Sequence, residues 1–290
     1  MKTSRHATAV TAEASGSFEL GDLDVRRLGF GAMRITGVGV WGEPEDPEGV
    51  KRVLHRVLDL GVNLIDTADS YGPEVSERLI AETLHPYPEG LVIATKGGFT
   101  RSGPGQWDPD GRPDRLLEAC EGSLKRLRLE TIDLYQLHTI DPDVPLEDSV
   151  GAIKDLQDEG KIRYIGVSNV SEEELDIAME IVDVVSVQNR YNLADRDSED
   201  ILDRCEALGI GFIPWFPLAA GRLVGGREAL DEFARAHEAT AAQIALAWLL
   251  ERSPVMLPIP GTSSVEHLEE NVAAASIELS EEEFETLASR

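Results

Sequence analysis

A short apolar run followed by a stretch of helical period recurs eight times along this chain. The runs fall at 27–31, 63–66, 91–96, 132–138, 162–168, 184–188, 211–215 and 255–258. Helical spacing covers 47–60, 74–84, 112–127, 146–159, 171–181, 198–208, 228–237 and 240–251, and two further stretches, 264–275 and 280–288, follow the last run. Strands joined by helices run parallel, because each crossover carries the chain back to the end it left. Eight such units in 290 residues predict an α/β chain folded as a closed (β/α)8 TIM barrel.

Local signals agree. Phe18-Glu-Leu-Gly-Asp-Leu-Asp-Val25 reads as an N-terminal β-hairpin turning at Gly21-Asp22. Ser171-Glu-Glu-Glu174 and Ser280-Glu-Glu-Glu283 are capping boxes, with acids where the helix dipole favours them. Gly61, Gly160 and Gly209 stand where C-terminal caps are needed. Residues 1–16 are expected to be a disordered tail, and 17–290 a single barrel domain with extra C-terminal helices. An open doubly wound sheet would need a dinucleotide fingerprint, and Gly29-Phe-Gly-Ala-Met33 lacks its last glycine.

Three successive runs end in chemistry. Asp66 and Tyr71 lie in Asn63-Leu-Ile-Asp-Thr-Ala-Asp-Ser-Tyr-Gly72, Lys96 closes Leu91-Val-Ile-Ala-Thr-Lys96, and His138 closes Ile132-Asp-Leu-Tyr-Gln-Leu-His138. On neighbouring parallel strands these four side chains share one rim of the barrel. Singly, each has an ordinary structural explanation, as a cap, a turn aromatic, a surface lysine or a structural imidazole. Together they make a general acid aimed at a carbonyl: Lys96 is expected to lower the Tyr71 pKa, Asp66 to keep Lys96 charged, and His138 to orient the oxygen.

Composition excludes some partners. The chain carries 54 acidic and 27 basic residues, a formal charge of −27, and only 6 of the basic residues are Lys. Such a surface repels nucleic acid and anionic membrane. It is expected to suit concentrated salt, where the repulsion is screened within a few ångströms. Cys120 and Cys205 stand alone, so neither a metal site nor a disulfide framework is expected. The polar N-terminus and the absence of a long apolar run point to a cytoplasmic protein. The oligomeric state is not legible.

From Arg27 to Leu287 the chain resembles the aldo-keto reductase superfamily, most specifically in Leu64-Ile-Asp-Thr-Ala-Asp-Ser-Tyr-Gly72. The resemblance implies a catalytic set of Asp66, Tyr71, Lys96 and His138, with Tyr71 donating the proton to an aldehyde or ketone. It implies a cofactor site in which Ser168 and Asn169 hold the nicotinamide carboxamide, Gln188 follows, and Trp215 stacks on the ring. Gly31, Met33, Asp66, Phe216 and Leu218 join that site, and Gly261, Thr262, Ser263, His267, Glu270 and Asn271 would take the adenosine phosphate end. Gly261 and His267 stand where many members carry Lys and Arg, yet the neighbouring hydroxyls can donate. NADP(H) is therefore the expected cofactor, with NAD(H) the alternative. Trp41, Phe99 and Trp107 are candidates for an aromatic substrate pocket, or equally for anchors of the rim loops. Gly39-Val-Trp-Gly42, Lys96-Gly-Gly-Phe-Thr100 and Pro214-Trp-Phe-Pro-Leu218 look most like the bacterial pyridoxal-reductase-type branch, making pyridoxal a concrete small-molecule substrate. Two alternatives are a slow redox sensor resembling the β subunits of potassium channels, and a Schiff-base aldolase using Lys96.

Overall fold

The chain enters through the hairpin β1 (Ser17–Leu20) and β2 (Leu23–Arg26), paired antiparallel with Leu20 opposite Leu23. Its apolar side chains Leu20 and Val25 are fully buried and pack with Leu64, Val92 and Leu134, which lie in the N-terminal halves of barrel strands. The hairpin thus plugs the end of the barrel opposite the strand C-termini. The computed structural model describes residues 10–218 and 228–289.

Seven parallel strands follow: β3 (Phe30–Gly31), β4 (Leu64–Asp66), β5 (Val92–Gly97), β8 (Ile132–Leu137), β9 (Ile162–Ser168), β10 (Val184–Gln188) and β11 (Gly211–Phe212), hydrogen-bonded in that order. The eighth expected strand, 255–258, is a correction: it is an extended segment holding one isolated bridge, Phe212 to Met256. Pro258 and Pro260 lack the N–H a longer ladder needs. The segment still closes the barrel. Phe212 N donates to Val255 O and Leu257 N to Phe212 O, both at 2.8 Å, while Gly29 N donates to Pro258 O at 2.9 Å. The architecture is the expected α/β TIM barrel.

The helices surround it: α1 (Pro47–Asp59), α2 (Val75–Leu84), α3 (Pro113–Leu127), α4 (Leu146–Asp158), α5 (Glu172–Met179), α6 (Glu199–Leu208), α7 (Glu228–Ala236), α8 (Ala241–Arg252), α9 (Val265–Ala273) and α10 (Glu281–Ala288). Both expected capping boxes form, and Thr240 with Gln243 makes another at α8. Gly61, Gly160 and Gly209 take φ of 74°, 76° and 70°, a left-handed conformation that costs glycine little. Apolar faces of α3, α4, α5 and α8 bury Leu116, Ile153, Leu175 and Trp248 completely, each large side chain contributing about 1.5–3 kcal/mol. Among the described residues no helix is long and apolar enough to cross a membrane.

Residues 12–15, expected to belong to a disordered tail, are ordered. Ala12–Ser15 form a 3-10 turn whose Ala12 is buried and donates to Leu60 O at 2.8 Å. The Ser15 hydroxyl accepts from Leu28 N at 3.0 Å, and that bond orders the segment. Residues 1–9 lie outside the described residues. Inside the loop after β5, β6 (Phe99–Thr100) and β7 (Asp108–Pro109) form a small antiparallel ladder that periodicity did not signal.

Candidate active site

Strand register brings the predicted acid–base residues to one rim. Asp66 is the last residue of β4 and pairs in register with Ala94 of β5; Lys96 of β5 pairs with Gln136 of β8. His138 follows the last residue of β8. Inward-facing side chains alternate along a strand, which is why Gln136 and His138 face the same interior. Tyr71 reaches the rim from the loop after β4, held by its N–H to Ala68 O and by Ser76 N to its own carbonyl.

The contacts form a chain. Lys96 Nζ donates to Asp66 Oδ2 at 2.6 Å, to Thr67 O at 2.8 Å and to the Tyr71 hydroxyl at 3.5 Å. Asp66 Oδ1 accepts from Gln136 Nε2 at 3.1 Å and from Gln188 Nε2 at 2.9 Å. Both carboxylate oxygens are satisfied, as a buried charge requires. Lys96 is wholly buried and Tyr71 nearly so. The imidazole of His138 lies 5.8 Å from the Tyr71 ring, edge-on, with the Ser70 hydroxyl 3.3 Å from Nδ1.

Burial sets the protonation states. It is the largest influence on Tyr71 and raises its pKa above the usual 10; Lys96 pulls down, but Asp66 and Asp69 push up. Lys96 does lower it, as expected, but the expected net lowering is corrected: burial is the larger influence, and Asp66 and Asp69 add to it. On Lys96, burial pulls down, yet Asp66 and Tyr71 outweigh it and the ammonium is held charged. Burial, then Lys96 and Arg101, holds His138 well below 6.5, so the imidazole is neutral.

The chain lies beneath a cavity of about 550 Å³. Asp66, Tyr71 and His138 line it, and Lys96 sits behind them. Of the expected cofactor residues, Gly31, Met33, Ser168, Asn169, Gln188, Trp215, Phe216, Leu218 and Gly261 also line it. Trp215 Nε1 donates to Asn169 Oδ1 at 2.9 Å, and Asn169 Nδ2 donates to His138 O at 3.0 Å and Ser168 Oγ at 3.1 Å. Asn169 takes φ of 58°, which an amide side chain tolerates better than most. Thr262, Ser263, His267, Glu270 and Asn271 do not line the cavity: they form the loop and first turns of α9, where Ser264 Oγ accepts from His267 N at 3.4 Å.

This wall fits a nicotinamide dinucleotide. At one end the indole of Trp215, bonded through Nε1 to Asn169, stands beside the Ser168 hydroxyl and the Gln188 amide on the cavity wall. At the other, a Cβ on Gly31 would stand 2.5 Å from Ile259 O, and one on Gly261 2.5 Å from Gly31 O, so only glycine lets these two backbones meet so closely at the cavity wall.

Phe99 and Trp107 line the cavity; Trp41 does not. Trp41 bridges to Gly72 and sits against the Arg101 guanidinium at 5.7 Å, so of the two expectations it meets the loop anchor. Arg34, Val40, Thr139, Ile259 and Pro260 line the cavity without having been expected there. Gln136 could have been found from its two-residue spacing to His138.

A parallel barrel with a buried Asp–Lys–Tyr chain and a neutral His at its C-terminal rim places acid–base groups where barrel enzymes keep their chemistry. Residues 27–289 match the Aldo/keto reductase family, and the chain belongs to it. It is 50% identical over 287 residues to an uncharacterised oxidoreductase of Schizosaccharomyces pombe, covering 99% of this chain and 94% of that one. It is 42% identical over 280 residues to the pyridoxine 4-dehydrogenase of Escherichia coli, covering 94% and 98%. Among solved structures, an aldo-keto reductase from Klebsiella pneumoniae in complex with NADPH superposes with a TM-score of 0.79 at 30% identity, covering 92% and 91%.

Proposed function

We propose that the protein reduces an aldehyde or ketone to an alcohol with NADP(H), and that Tyr71 is the proton donor. The observation that carries this reading is the buried chain from Asp66 through Lys96 to the Tyr71 hydroxyl at the cavity wall. Bound NADPH supplies the hydride. Tyr71, protonated across the neutral range, gives its proton to the carbonyl oxygen. The charged Nζ of Lys96 stabilises the phenolate left behind, and Asp66 keeps that charge in place. Neutral His138 orients the oxygen through a ring N–H. Trp215, Ser168, Asn169 and Gln188 hold the nicotinamide end, and the 261–271 segment takes the adenosine phosphate.

Pyridoxal is the first substrate to test. The aromatic lining by Phe99 and Trp107 suits a flat carbonyl, and the Escherichia coli relative is named for the corresponding alcohol. The protein works in the cytoplasm, at a salt concentration that screens its acidic surface. Fluorescence titration with NADPH and NADH, followed by NADPH consumption with pyridoxal and simpler aldehydes, tests the proposal. Saturable NADPH binding with multiple turnovers is expected; binding without turnover on any aldehyde would overturn it in favour of a redox sensor.

A further inference from the structure

Arg101, two residues into the rim beyond Phe99, directs all five of its N–H donors to main-chain carbonyls. Nε donates to Gln106 O at 2.6 Å, Nη1 to Val40 O at 3.1 Å and Ser70 O at 2.9 Å, and Nη2 to Gly39 O at 3.2 Å and Gly103 O at 3.5 Å. These carbonyls come from the loops after β3, β4 and β5, and the loop after β4 is the one carrying Tyr71. The guanidinium carbon also lies 3.7 Å from the centre of the Trp107 ring, a close cation–π contact. In a chain with twice as many acids as bases, no described carboxylate pairs with it. Backbone oxygens and indole faces have been preferred to a salt bridge.

What it holds is the substrate-facing wall. Trp107 stands edge-on to Phe99 at 5.6 Å, to Tyr71 at 6.2 Å and to His138 at 6.3 Å. Val40, whose carbonyl Arg101 grips, takes a left-handed φ of 55° and lines the same cavity. A branched residue keeps such a conformation only where its surroundings impose it.

We propose that Arg101 is a positioning residue: it fastens three rim loops together and fixes Trp107 and Val40 as the wall against which a flat aromatic carbonyl lies. This rests on the carbonyl-reduction reading above. Lysine cannot substitute, since three donors on one nitrogen cannot span five carbonyls in a plane or stack on an indole. Tyr71 is held independently by Lys96 and by its own main-chain bonds, so the proton-donating chain survives loss of Arg101.

The test compares wild type with Arg101→Lys and Arg101→Met on benzaldehyde and propanal, with NADPH affinity measured by fluorescence. Acrylamide quenching of tryptophan, with Trp107→Phe marking the Trp107 signal, reads the wall directly. For both variants kcat/KM on benzaldehyde is expected to fall about tenfold or more through KM, the scale of a lost aromatic and cation–π contact. Propanal turnover should fall far less, NADPH affinity should hold, and Trp107 should become more quenchable. Equal losses on both aldehydes, loss of NADPH affinity, or full benzaldehyde activity in Arg101→Lys would overturn the proposal. Wild type inert toward every aldehyde would refute carbonyl reduction itself, and the quenching comparison would still decide the role of Arg101.

Discussion

Lys96→Met keeps the long apolar stem of the side chain and deletes its charge inside the barrel. The Nζ–Oδ2 separation from Asp66 is 2.6 Å, so at an effective dielectric near 20 the attraction is about 6 kcal/mol. Desolvating the two ions costs several kcal/mol each, and the intact pair is close to neutral for stability. Breaking it is not neutral. Asp66 would remain buried with only Gln136 and Gln188 donating to one oxygen, and the expected loss is about 3–5 kcal/mol. Asp66→Asn should cost a comparable amount, while the double variant, with neither charge, should cost less than the sum by about 2–3 kcal/mol. Lys96 has a folded pKa above its usual 10.5, so its contribution is present below 10.5 and disappears as pH rises through the folded value. Urea unfolding of the four proteins at neutral and strongly alkaline pH measures both effects. Additive losses, or Lys96→Met as stable as wild type at neutral pH, would refute the coupling.

Asp69 is buried, its Oδ1 has no hydrogen-bond partner, and burial followed by Glu77 pushes its pKa up to about 7. The native state therefore keeps a proton that the unfolded chain releases, so stability from this group is lost between the ordinary carboxylate range and pH 7. Thermal unfolding of Asp69→Asn should show a smaller loss between pH 5 and pH 8 than wild type, by roughly 2–4 kcal/mol; an unchanged pH profile contradicts the burial argument. Molar KCl should raise the melting temperature by screening the net charge of −27, and a salt-independent value would remove the case for a high-salt setting. Asn169→Ala, which strips the partner from Trp215 Nε1, should weaken NADPH binding by about tenfold in a fluorescence titration, and full affinity would show that this amide does not hold the ring.

The architecture was legible because its signals are local: two periods alternate, caps mark the boundaries, and acid–base residues stand at run ends. Asp66, Lys96 and His138 could be placed together before any coordinates, since parallel strands carry their C-termini to one rim. Sums over distant groups were not legible. Lys96 pulls the Tyr71 pKa down as its place in the sequence implies, but burial in the pocket, joined by Asp66 and Asp69, reverses the net sign. The eighth strand failed at Pro258 and Pro260, whose missing donors matter only once a partner strand is known. Trp41 and Trp107 look alike in sequence. Only Trp107 lines the cavity, and both rings meet the guanidinium of Arg101, whose acceptors are spread from Gly39 to Gln106 and share no motif.

The central claim is that Tyr71 delivers the proton. Tyr71→Phe removes a single oxygen from a buried ring whose main-chain bonds to Ala68 and Ser76 remain. Single-turnover oxidation of bound NADPH by pyridoxal in wild type and Tyr71→Phe tests it most directly. The predicted result is unchanged NADPH affinity with a rate lower by about 10²–10⁴-fold, the usual contribution of a positioned general acid. A Tyr71→Phe protein that reduces pyridoxal at the wild-type rate would contradict it.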